Sequence, residues 1–139
     1  MPIPAIEHAE KLTHIFGEWP SFHDAEVIRL TLDRSGSDGP TLETDIHVFA
    51  MSPEVDSKGH YVRKNHTLVT LRFTEVVTEE FTGFNEQNAL FDLRISEVDP
   101  ATHDGRGLRV EISSSYGLAG TFVCKQAIVS EVKAYGAAA

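Results

Sequence analysis

Between Glu18 and Arg34 the chain reads EWPSFHDAEVIRLTLDR, and within this stretch the spacing of its apolar residues changes. Upstream, from Pro4 to Phe16, Ile6, Ala9, Leu12, Thr13 and Phe16 recur at helical spacing, while Glu7, His8, Glu10, Lys11 and His14 fall on the other side. That is the pattern of an amphipathic helix, with Pro2 and Pro4 suited to its start and Gly17 to its stop. Downstream the period is two. Ile28, Leu30 and Leu32 alternate with Arg29, Thr31 and Asp33; Leu42, Thr44, Ile46 and Val48 alternate with Glu43, Asp45 and His47; Val69, Leu71 and Phe73 alternate with Thr70, Arg72 and Thr74. Such runs predict half-buried strands.

The same reading continues through Val76 to Phe81, through Phe91, Leu93 and Ile95, through Leu108, Val110 and Ile112, and through Thr121 to Val132. Turn-forming clusters separate the runs: Ser35 to Pro40, Asp99-Pro100 to Gly107, and Tyr116 to Gly120. The connection from Ser52 to Asn65 is the longest and most polar and is expected to be a loop. The fold class expected is mainly β, α+β by strict count: an antiparallel meander or two-sheet sandwich of about seven strands with one N-terminal helix. Residues 1–139 read as a single domain, with the helix at about 4–16, the β portion at about 24–133 and a frayed tail at 136–139.

A chain of 139 residues can bury about two thirds of the surface it exposes when unfolded, so no disulfide is needed. The single cysteine, Cys124, lies in the apolar segment TFVCKQAIV and fits a reducing cytoplasm or simply an inert buried thiol, the second being the role expected. The N-terminus MPIPAIEHAEK has no basic start before an apolar run, and no stretch approaches a membrane span. With 21 acidic against 12 basic residues the net charge is -9. An acidic balance favours solubility first; it disfavours nucleic acid and anionic membranes, and it suits a basic partner.

His23-Asp24 raises the question of chemistry. Metal-bridging phosphohydrolases present an adjacent His-Asp and further histidines from helices, whereas here a period-two run begins at once. Zinc sites show paired ligands at short spacing, whereas His8 and His14, and likewise His60 and His66, are six apart and there is one cysteine. Ser113-Ser114-Ser115 lacks a nucleophile-elbow context. Gly105-Arg106-Gly107 reads as a hairpin turn, and Glu79-Glu80 are neighbours on a strand that point to opposite faces. No catalytic residue, metal or cofactor is expected. Instead Trp19, Pro20, Phe22, His23 and Asp24 read as a structural corner. The residue before proline leaves helical geometry, Phe22 can pack inward, Asp24 can accept turn N–H groups, and His23 can bond Asp24 or a carbonyl of a neighbouring strand.

The order FGEWPSFHDAEV at Phe16–Val27, NHTLVTLRF at Asn65–Phe73, FNEQNALFDL at Phe84–Leu93 and SYGLAGTFVC at Ser115–Cys124 resembles the bacterial immunity protein 50 family of polymorphic toxin systems. The resemblance implies a protein that binds and neutralises a cognate toxin through a surface, without catalysis; the chain's own composition gives the expected location as the cytoplasm. Candidate partner-binding residues are Glu54, Asp56, His60 and Tyr61 in the long connection and Glu75, Glu79 and Glu80 along the fourth strand, with Tyr61 as an aromatic anchor. One alternative is a small-ligand-binding β module with Asn85, Gln87 and Asn88 at a cleft rim, although Asn and Gln in such a segment more often satisfy a tight connection. A metal-dependent enzyme using His23 and Asp24 is a further alternative. Open antiparallel edges also allow a homodimer.

Overall fold

The computed structural model describes residues 5–136. Helix α1 spans Glu10–Phe16 and ends where Gly17 adopts φ 81° and donates its N–H to Thr13 O. Leu12 is fully buried. The helix is shorter than the apolar spacing predicts, because Glu7 is held by strand pairing: its N–H donates to Ala127 O and its carbonyl accepts from Val129 N, both at 2.9 Å. His8, at φ 60°, then turns the chain into α1. Pro2 and Pro4 lie outside the described residues, as does the tail from Ala137.

Eight strands come after the helix: β1 Glu26–Asp33, β2 Thr41–Val55, β3 Tyr61–Thr74, β4 Val77–Thr82, β5 Ala89–Glu97, β6 Leu108–Tyr116, β7 Ala119–Cys124 and β8 Gln126–Ala134. They form one antiparallel sheet in the order β4-β7-β6-β5-β1-β2-β3-β8. The single run expected from Thr121 to Val132 is two strands, broken at Lys125. The run that becomes β3 and β4 breaks opposite it at Glu75-Val76, where Glu75 is left-handed at φ 53°. Lys125 N donates to Thr74 O at 2.9 Å across this break. The two stretches therefore pair from Thr67 to Thr82 as a bent spine, β3 with β8 and β4 with β7. Arg106 braces the bend, its Nε donating to Glu75 O at 2.6 Å.

The spine divides the sheet into halves, and the inner faces of both supply one core. Phe73 of β3 meets Phe122 of β7 edge-on at 5.0 Å, and Phe81 of β4 lies over Gly120 and stacks on Phe122. Alternation holds strictly through Leu42, Thr44, Ile46 and Val48, all buried. It fails at two bulges. The register of β1 shifts between Val27 and Arg29, so Val27 and Leu30 both face the core and Ile28 between them is exposed; Leu32, opposite buried Leu42, keeps the inner face but is exposed there. That of β5 shifts around Leu90, so Leu90 is buried and Phe91 points to solvent. A single extra residue reverses the faces of the residues beyond it.

The polar connection from Ser52 to Asn65 is mostly strand rather than loop. β2 and β3 continue as a two-stranded arm beyond their outer neighbours, and only residues 56–60 turn. Asp56 builds that turn: its Oδ1 accepts from Lys58 N and His60 N, and Gly59 takes φ 83°. Polarity on this arm reflects solvent on both faces of a ribbon, which hydrophobic patterning alone reads as loop.

Candidate functional site

The Trp19–Asp24 segment lies where the two halves of the sheet meet. Phe22 is buried and Trp19 packs on it, with ring centroids 5.8 Å apart. Asp24, at φ 68°, donates its N–H to Leu90 O, while Leu90 N donates to Ala25 O and Val27 N to Asn88 O. These bonds join β1 to β5, whose strand pairing is otherwise confined to Glu26 and Ala89. The His23 ring sits edge-on to Phe91, and its Nδ1 is 3.0 Å from Phe91 O, a geometry in which Nδ1 carries the proton and donates. Nε2 is left 3.7 Å from Asp24 Oδ1, with both side chains about half exposed. Among the described residues no group of three His, Cys, Asp or Glu side chains is arranged to hold a metal ion.

The Asn85–Asn88 segment directs its amides at backbone. Asn88 is buried; its Oδ1 accepts from Asn85 N and Leu118 N, and its Nδ2 donates to Asn85 O at 2.9 Å. Asn85 Oδ1 accepts from Gln87 N, and its Nδ2 donates to Gly83 O. One buried amide thus ties the β4–β5 turn to the β6–β7 turn. The thiol of Cys124 is also buried, and burial pushes its pKa up to about 12, far from nucleophilic thiolate chemistry.

The candidate partner-binding residues separate into two groups. Glu54, Asp56 and His60 lie on the arm, Glu54 within 3.3 Å of Lys64 Nζ. Tyr61 begins β3, and its side chain is outside what the structure describes. Glu75, Glu79 and Glu80 lie past the other end of β3, whose 14 residues span roughly 45 Å at about 3.3 Å each. Glu75 is spent at the bend with Arg106. Glu79 pairs with Arg109, Oε2 to Nη2 at 2.6 Å, and those hydrogen bonds hold its carboxyl below the usual range. Glu79, Glu80, Arg109, Glu111 and Thr121 line an open cleft of about 460 Å³ on the outer face of β4, β7 and β6; Glu79 and Glu80 share it instead of pointing to opposite faces, because the register of β4 shifts between Thr78 and Glu80.

Sequence patterning does not single out Arg109 or Thr121. Outward alternation places Arg109 beside Glu111 on one strand, yet its meeting with Glu79 depends on the order β4-β7-β6, which alternation does not encode. A second cluster is equally invisible to spacing. On the outer face of β2 and β3, His47 Nε2 and His66 Nδ1 are 2.9 Å apart, Tyr135 packs on His47 at 4.6 Å, and Arg63 lies 4.5 Å over the Phe49 ring. Burial, then the charge of His66, lowers the pKa of His47.

Across this geometry, the family model described as Immunity protein 50 matches residues 8–135. The chain belongs to the Immunity protein 50 family. The match runs from the turn into α1 to the end of β8, so the corner, the buried Asn88 and the cleft all lie within the Immunity protein 50 region. No curated protein and no solved structure matches the chain. No helix among the described residues is long and apolar enough to cross a membrane.

Proposed function

We propose that this Immunity protein 50 member binds and neutralises a cognate bacterial toxin of a polymorphic toxin system, in the cytoplasm and without catalysis of its own. The observation that carries the reading is the family match over residues 8–135. The acidic cleft of Glu79, Glu80 and Glu111 is the surface that best suits such a role. A toxin that acts on phosphate-bearing substrates needs a cationic site, and a carboxylate-lined surface speeds encounter with it and competes for its cations. Glu54, Asp56, His60 and Tyr61 form a second, separate contact region on the arm. The Trp19–Asp24 corner acts as the joint between the two halves of the sheet, with His23 fastening it to Phe91 rather than working on a substrate.

The test is a calorimetric titration, at low and high salt, against an inactivated toxin domain encoded beside the gene. Tight binding that weakens as salt rises is expected. No binding at micromolar concentration overturns the reading.

A further inference from the structure

A spine of two paired runs has a flank on each side. β3 has β2 beside it, and β7 has β6. The place beside the first part of β8 is taken by the chain itself, through the isolated bridge of Glu7 to Ile128. The corresponding place beside β4 is unfilled among the described residues. β2 would have to extend upstream of Thr41 to reach it, but the chain turns away at Pro40, whose carbonyl accepts from Val76 N at 2.9 Å.

We propose that β4 is a docking edge that takes an extended, lysine- or arginine-bearing segment of a partner protein as an added strand. The inference rests on the toxin-binding reading and specifies how the toxin is held. Unpaired edges invite any strand, and proteins restrict them by shortness, bulges and charge. β4 has all three: six residues, a register shift between Thr78 and Glu80, and the Glu79-Glu80 pair. Against a second copy of a chain with net charge -9, these carboxylates repel. Against a basic strand the same carboxylates attract, so the protection selects the occupant. Glu79 is already matched by Arg109, whereas Glu80 and Glu111 form no ion pair among the described residues.

The edge also offers a seat for an apolar side chain. A cavity of about 310 Å³ opens beside Thr78, with Leu32, Pro40 and Val76 in its walls and Asp33 and Arg34 at its polar side. Leu32 is 55% exposed and Val77 45%, both large apolar side chains facing water at this edge. In strand addition the main chain supplies affinity, and alternate side chains, here one apolar and the next basic, supply selection.

The experiment is amide hydrogen exchange by NMR on the full chain, with a short peptide of alternating lysine and valine as probe and a glutamate-valine peptide as control. Slowed exchange within residues 77–82 is expected with the lysine peptide, with affinity at least about tenfold above that of the control and a similar loss in Glu80→Lys at unchanged unfolding midpoint. Unchanged exchange at these residues, equal response to both peptides, or protection confined to the arm overturns the proposal. The same measurement on the complex with the inactivated toxin domain separates the two claims. Binding that leaves residues 77–82 unprotected removes the edge and keeps the immunity function; absence of binding removes both.

Discussion

The two ends of this sheet are edges of the same spine and are finished in opposite ways. At β8 the chain closes the first part of its own edge. Glu7 bonds Ala127 and Val129, Gln126 Nε2 reaches Glu7 Oε2 at 2.8 Å, and α1 covers the adjoining core with Leu12. At β4 nothing in the described chain pairs the free side, and the strand instead carries charge, a bulge and little length. Closing with backbone excludes any partner where it reaches, whereas guarding with charge excludes only partners of the same sign. Under the docking proposed for β4, the two devices divide the work, one on each edge.

The contrast can be broken most severely at the seal. Leu12→Ala removes a fully buried side chain under the segment that covers β8, and a loss of about 2–5 kcal/mol is expected in denaturant unfolding. Amides of β8 should then exchange faster while those of β4 do not change; equal loosening of both strands would mean that α1 stabilises the core without specifically closing that edge. Glu7→Pro removes the N–H that bonds Ala127 O, at an expected cost of about 1 kcal/mol. It should create concentration-dependent self-association in sedimentation, because the freed edge lacks the paired glutamates that guard β4.

A smaller effect comes with acid. His47 and His66 support the far end of β8, where Tyr135 N donates to His66 O at 3.0 Å. Because the folded pKa of His47 is lowered, the unfolded chain binds the proton more readily. The stabilisation is therefore complete above the ordinary imidazole pKa and declines as pH falls through and below it. Unfolding midpoints followed from neutral to mildly acidic pH should drop, and His47→Phe should flatten that drop. Smallest in energy is the behaviour of Cys124, buried at the bend where the edges meet. A thiol reagent should label it only at the rate of opening, and slower labelling on binding of the lysine-valine peptide would show that docking at β4 stiffens the bend.

Much of this architecture is written locally. The change of period after Glu18, the stop at Gly17 and the buried face of Leu42 to Val48 all come from spacing. Asn88 also obeys a local rule, that amides in a tight segment bond nearby backbone. Ile28 and Phe91 do not, since a bulge looks like one more apolar residue, and the inward positions before it, Val27 and Leu90, fall out of step with Leu30 and Leu93 after it. The open edge is harder still. That β4 is an edge and β7 is not depends on pairings between distant parts of the chain, and no periodicity within Val77–Thr82 reports it. For the same reason Glu79 and Glu80 could be named from sequence but Arg109 could not, because their shared cleft exists only once β6 and β7 lie alongside.

The bent spine also sets a timetable for the newborn chain. Thr67 pairs with Ala134 and Thr74 with Gln126, so β3 waits for partners more than fifty residues away in sequence. Sheets built from such distant pairs fold in milliseconds to seconds, slower than helical bundles, while a ribosome adds roughly 5–20 residues per second. Until the segment from Ala119 to Ala134 has emerged, neither β3 nor β4 has its spine partner, and the β1–β2–β3 meander waits with one flank of β3 open. The sheet can therefore be completed only after almost the whole described chain has been synthesised.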